Sequence, residues 1–134
     1  MNVVPRAKAS QGWSIEDSMD LYSVPSWGGG YFHVNAAGHV VVRPDRDPAR
    51  EIDLYEVVEQ LKARDLTAPV VLRFSGILHD RLRALHGAFA AAIAENEYRG
   101  RYSAVFPIKV NQQRLVVEEV YRGSTELGFG LEVG

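Results

Sequence analysis

Lys109 stands in the apolar run Phe106-Pro107-Ile108-Lys109-Val110, where its type is out of keeping with its neighbours. Burying an ammonium ion is costly unless it is paired or its pKa is lowered. A strand over residues 102–110 would set Lys109 on one face with Val105 and Pro107, with Phe106, Ile108 and Val110 on the other. If Phe106 and Ile108 packed on helices, Lys109 would project into the interior of a barrel. At the C-terminal end of a barrel strand it would stand at the mouth where such folds build active sites. Only about 0.04% of a lysine at its ordinary pKa is neutral at pH 7, so an amine that must form an imine gains from a partly desolvated pocket. The alternative is a lysine that snorkels into solvent from a strand end. Spacing leaves both readings open.

Other residue types that could do chemistry carry plainer readings. Gly28, Gly29 and Gly30 could cradle a phosphate, but no helix start follows them as a phosphate loop requires, so they are expected to let the chain enter a hairpin. His33, His39, His79 and His86 lack metal-ligand spacing, although His79 and His86 lie seven apart on one expected helix. Solvated or helix-face histidines are expected.

Elements that would position Lys109 can be placed by periodicity and punctuation. Residues 14–20 suit a short helical turn, which SVPSWGGGY should end through Pro25 and its glycines. YFHVN and HVVVR read as a hairpin in which Gly38 takes a positive φ. RPDRDPAR marks a loop, and Asp53 with Glu56 resembles a capping box opening a helix through Leu54, Val57, Val58 and Leu61, whose alternating charges read as a solvated face. PVVLRF reads as a buried strand, and Ser75 could cap the helix after it. Leu78, Leu82, Leu85, Phe89 and Ile93 predict that this helix is amphipathic, spans residues 77–96 and is buried along one side. Beyond the strand at 102–110, Asn111 could cap a helix through Leu115, Val116 and Val120 that stops near Gly123, and LGFGLEV reads as a further strand. Strand, helix and strand over residues 102–133 make a βαβ unit with parallel pairing. Two parallel strands cannot bury both faces, so the pattern suggests the opening of a larger α/β barrel.

Composition narrows the partners. With 134 residues and 46% hydrophobic content, the chain is the size of one domain that can bury a core. Fifteen Lys+Arg stand against 17 Asp+Glu, so no basic field is expected to attract nucleic acid or an anionic membrane. No apolar run approaches the ~18 residues of a membrane span, and no cysteine is present for a disulfide or thiolate metal site. MNVVPRAKASQGW lacks the apolar core of a signal peptide, so a cytoplasmic location is expected.

AVFPIKVNQQR resembles the pyridoxal-phosphate lysine segment of bacterial biosynthetic arginine decarboxylases, a branch of the barrel decarboxylases that includes ornithine and diaminopimelate decarboxylases and is related to alanine racemase. In those other branches the stretch is typically a shorter AVK motif. WSIEDSMDLYSVPSWGGGYFHVNAAGHVVV, LTAPVVLRFSGILHDRLRALHGAF and the closing GLEVG resemble further family segments in order, the last of them the start of G-L-E-x-G-S-K. The resemblance covers residues 13–134. It implies an α/β fold class: an N-terminal β-domain segment with a hairpin, then the start of a pyridoxal-phosphate-binding (β/α)8 TIM barrel cut short after about two strands. The first dozen residues, polar and carrying Pro5, Gly12 and small side chains, are expected to form a flexible leader at 1–12, and the resemblance implies a β-domain segment with one helix at 13–76 and a helix plus an incomplete βαβ unit at 77–134.

The same resemblance implies conversion of L-arginine to agmatine and carbon dioxide on a route to putrescine and polyamines. Lys109 would be both the catalytic and the cofactor-binding lysine. Glu132 would be a second cofactor-binding residue, its alternative being a solvated strand-end carboxylate. Magnesium and homo-oligomers with sites between subunits are implied as well, with no metal ligand assigned in this chain. Such enzymes are several times longer, and their glycine-rich phosphate-binding segments, the acidic partner of the pyridine nitrogen and the C-terminal sheet domain fall beyond Gly134. The chain by itself is therefore expected to be inactive. A non-catalytic truncated product or subunit-binding domain is the alternative from another class, and a relative acting on ornithine or diaminopimelate is a further one.

Overall fold

The computed structural model describes residues 12–134, so the expected leader at 1–12 lies almost wholly outside the described residues. The chain divides into two compact units. One runs to Arg43 and resumes over Glu51–Leu66; the other takes Pro44–Arg50 and Thr67–Gly134.

The first unit opens with helix α1 (Ile15–Leu21), started by a full capping box: Asp17 N–H donates to Ser14 Oγ and Ser14 N–H to the Asp17 carboxylate. The stretch expected to break helices instead makes a second short one, α2 (Val24–Gly28). Pro25 falls in its first turn, where a missing N–H costs nothing and a fixed φ is already helical. Gly29 and Gly30 then take positive φ, turning the chain into the hairpin. Strands β1 (Phe32–Val34) and β2 (Val40–Val42) pair antiparallel, and β2 pairs with a strand not foreseen in the sequence, β3 (Ile52–Asp53). At two residues, β3 is too short to show a period. Val24, Tyr31, Val34, Val41 and Val42 form the buried set of this unit, and α3 (Leu54–Lys62) packs on the sheet.

Gly38 sits in the hairpin loop at φ +81 with nothing within 4 Å of where a Cβ would stand. Gly38→Ala therefore meets no clash and incurs only the left-handed backbone penalty, ~1–2 kcal/mol. A fall of that size in unfolding free energy, with an unchanged denaturant slope, is the expected result of urea titration.

The second unit holds the expected βαβ order: strand β4 (Val105–Pro107), helix α5 (Arg114–Leu127) and strand β5 (Gly130–Glu132), with β4 and β5 parallel. Helix α4 (Ser75–Glu95) packs on α5. The core is Leu82, Val120 and Phe129, with Leu78, Ala104, Phe106, Leu127 and Leu131 packed around it. Gly123 does not end α5. It lies within the helix, and a Cβ there would stand 3.2 Å from Leu82 Cδ1, so its missing side chain lets α4 approach closely. The stop is Gly128, at φ +68.

Several expectations for this unit are corrected. Residues 70–74 form no strand, and Val71 is 76% exposed: β-branched residues make a strand only where a sheet edge offers hydrogen bonds, and neither described sheet includes them. Ser75 is the first residue of α4 rather than its cap; Phe74 holds the cap position, without a side-chain hydrogen bond. Only part of the α4 stripe is covered: Leu82 is buried, whereas Leu85 and Phe89 are exposed, the Phe89 ring stacking on Tyr102. Among the described residues the parallel sheet has two strands and closes no barrel.

Candidate functional site

Strand β4 ends two residues before Lys109. Ile108–Val110 is a 3-10 turn, not the strand continuation expected for residues 102–110. Phe106 packs on the core as its strand face requires. Lys109 lies just past the C-terminal end of β4, in a turn that leads on to helix α5.

The parallel register brings the second expected residue to the same place. Val105, Phe106 and Pro107 pair with Gly130, Leu131 and Glu132, so the last residue of β5 stands beside the last residue of β4. Lys109 Nζ lies 3.9 Å from Glu132 Oε2, and Glu132 Oε1 accepts a hydrogen bond from Gly134 N–H at 2.7 Å. The lysine side chain is 63% exposed, so the desolvated pocket expected around it is not formed by the described residues. The reason is geometric: two short strands wall the amine on one side only. At this distance and exposure the ion pair contributes little to stability, and its importance is positional. An amine and a carboxylate held side by side at a strand end can form an imine with an aldehyde and exchange a proton at the same point.

A titratable cluster that spacing gave no means of finding lies in the first unit. Asp53 accepts hydrogen bonds from Asn35 Nδ2 (2.9 Å), Tyr55 N–H (2.9 Å) and Glu56 N–H (3.3 Å), and its Oδ2 lies 2.8 Å from His39 Nδ1. The His39 ring stacks on Tyr55 with centroids 4.6 Å apart. Asp53 thus caps α3 as expected from the sequence, and it also fastens both ends of the hairpin loop. Burial acts to raise its carboxyl pKa. The His39 hydrogen bond, with those from Glu56, Asn35 and Tyr55, outweighs burial and holds the carboxyl below its ordinary value. A lowered folded-state pKa contributes stability that is fully present above the unfolded value of about 3.9 and is lost as pH falls through the folded value. Urea stability measured from about pH 6 downward should therefore fall less steeply below about pH 4 in Asp53→Asn than in the parent chain.

His79 Nε2 stands 2.9 Å from Glu119 Oε2 without the alignment of a hydrogen bond. No group of three His, Cys, Asp or Glu side chains that could hold a metal gathers among the described residues. No described helix is long and apolar enough to cross a membrane.

Lys109 and Glu132 thus stand together at the C-terminal ends of two parallel strands, with helices packed on that sheet, in a mixed α/β segment. No protein-family model matches the chain. Curated relatives do. The chain is 50% identical over 122 residues to the biosynthetic arginine decarboxylase of Rhodopirellula baltica, covering 91% of the chain and 18% of that relative. It is 48% identical over all 134 residues to the one from a Synechococcus strain, covering 21% of it, and 50% identical over 122 residues to the one from Thermosynechococcus vestitus, covering 91% of the chain and 19% of the relative. The chain is thus homologous to a part of the biosynthetic arginine decarboxylases, as its motifs suggested, and it spans about a fifth of the length of the relatives it matches.

Proposed function

We propose that this sequence is the lysine-bearing segment of a pyridoxal-phosphate-dependent arginine decarboxylase, forming the start of the barrel in which L-arginine loses carbon dioxide to give agmatine. The observation that carries the reading is the Lys109 amine, exposed past the end of β4 and 3.9 Å from Glu132 across a parallel strand pair. These residues fit the cofactor's chemistry: an amine free of short hydrogen bonds can condense with its aldehyde, and a neighbouring carboxylate can hold the proton that the amine must lose. When bound, the cofactor supplies an electron-poor ring that accepts the electron pair left by departing carbon dioxide. Lys109 would anchor it covalently, give way to the substrate amine, and return afterwards. Glu132 would hold a proton beside Nζ, with Oε1 fixed by Gly134 N–H.

A route to putrescine, magnesium dependence and homo-oligomeric assembly belong to this proposal through the resemblance of the chain's motifs to that family. The relatives' shared name favours arginine over ornithine or diaminopimelate as substrate.

The experiment is an exchange. The matched segment of the Rhodopirellula baltica relative is replaced by this chain, and agmatine formation from arginine is measured. Retained turnover supports the reading; a folded chimera that binds the cofactor elsewhere and turns nothing over opposes it. The 134-residue chain alone should form no agmatine above a mock preparation, because a closed eight-stranded barrel takes ~250 residues.

A further inference from the structure

Resting on the reading of Lys109 as the cofactor lysine, we infer that Asn111 is a positioning residue for it. Lys109 occupies the middle of a three-residue turn between a strand and a helix, a place where the backbone has few ties of its own. Asn111 supplies two. Its N–H donates to Ile108 O at 3.1 Å, closing the turn over Lys109, and its Oδ1 accepts from Gln113 N–H at 3.1 Å, locking the next turn into the start of α5. On the other side, Pro107 is held in register opposite Glu132. The turn that carries Lys109 is thereby closed by the Asn111 main chain and joined to the start of α5 by the Asn111 side chain, while the lysine amine stays exposed 3.9 Å from Glu132. The expectation that Asn111 caps α5 is replaced by this role, since the cap position is Gln113.

This chain provides its own internal standard. Lys62 is 61% exposed against 63% for Lys109, and it lies in the other compact unit with its amine bonded to Glu59 at 2.7 Å. The full chain is incubated with pyridoxal phosphate, reduced with borohydride and digested, and the ratio of pyridoxyl label on Lys109 to that on Lys62 is measured by mass spectrometry.

The parent chain should favour Lys109. Asn111→Ala should lower the ratio about fivefold, the equilibrium factor of one modest hydrogen bond, and Asn111→Asp, which keeps the acceptor oxygen, should restore it. Gln113→Pro removes the donor N–H without touching Asn111, at a φ of −65 that proline adopts without strain, and should lower the ratio as Asn111→Ala does. This second variant decides the matter if the alanine variant does not fold. A parent chain that labels Lys109 no better than Lys62 would overturn this inference, while the functional reading stands or falls on agmatine formation by the chimera. A parent preference for Lys109 that survives both Asn111→Ala and Gln113→Pro would overturn the inference alone.

Discussion

Lys109→Ala, placed in the active chimera, should abolish both the borohydride-fixed pyridoxyl label on the peptide spanning residues 105–114 and nearly all agmatine formation. The expected loss is on the order of 10³-fold or more, because an amine tethered beside the reacting carbon acts at an effective concentration no free amine in solution reaches. Lys109→Arg should fail almost as badly. A guanidinium keeps the positive charge and could keep the ion pair with Glu132, but it does not surrender a proton to become the neutral nucleophile that imine formation requires. The arginine variant therefore separates the two readings left open by the sequence. A lysine that merely snorkels from a strand end would tolerate arginine, and the label would appear on another lysine.

The largest stability effect should come from Phe129→Ala. Phe129 is 7% exposed and packs with Leu82 and fully buried Val120, so its ring joins α4, α5 and the two strands into one core. Truncating a buried phenylalanine removes its transfer energy and leaves a cavity, together ~3–5 kcal/mol. Total stability of a small domain is only ~5–15 kcal/mol, and this unit has just three buried core residues, so the second unit should lose cooperative unfolding in the variant. Denaturant unfolding tracked by far-ultraviolet circular dichroism would show this as a broadened transition with reduced amplitude. A midpoint unchanged from the parent would mean that the core lies elsewhere.

Local signals in the sequence located most elements because they act over a few residues. Ser14 and Asp17 start α1 through mutual hydrogen bonds, Gly38 turns the hairpin, and the spacing of Leu115, Val116 and Val120 marks one face of α5. Misread positions are those where a distant partner decides. Val70, Val71 and Leu72 have strand-forming side chains but no described strand to pair with, and Gly123 resembled a helix stop until Leu82 on another helix accounted for it. Lys109 stood out as a candidate because a charge among apolar neighbours demands a reason. Its closeness to Glu132 came only from the β4–β5 register, and the exposure of its amine could not be read from neighbours in sequence at all. The Asp53 cluster stayed hidden for a related cause: Asn35, His39 and Asp53 are brought together by strand pairing, and none of their spacings marks a motif.

Pro44–Arg50 belongs to the second unit although residues on both sides of it belong to the first. Neither unit is therefore a continuous stretch of chain, and no single truncation point yields one of them intact. A fragment starting at Thr67 would leave behind Arg46, the ion-pair partner of Asp80 on α4, and Pro44, which lies against Gly76 at the start of that helix. Anyone excising the lysine-bearing portion for transplantation would have to carry residues 44–50 along, through a circular permutation or a short added linker, or accept a helix start stripped of its neighbours.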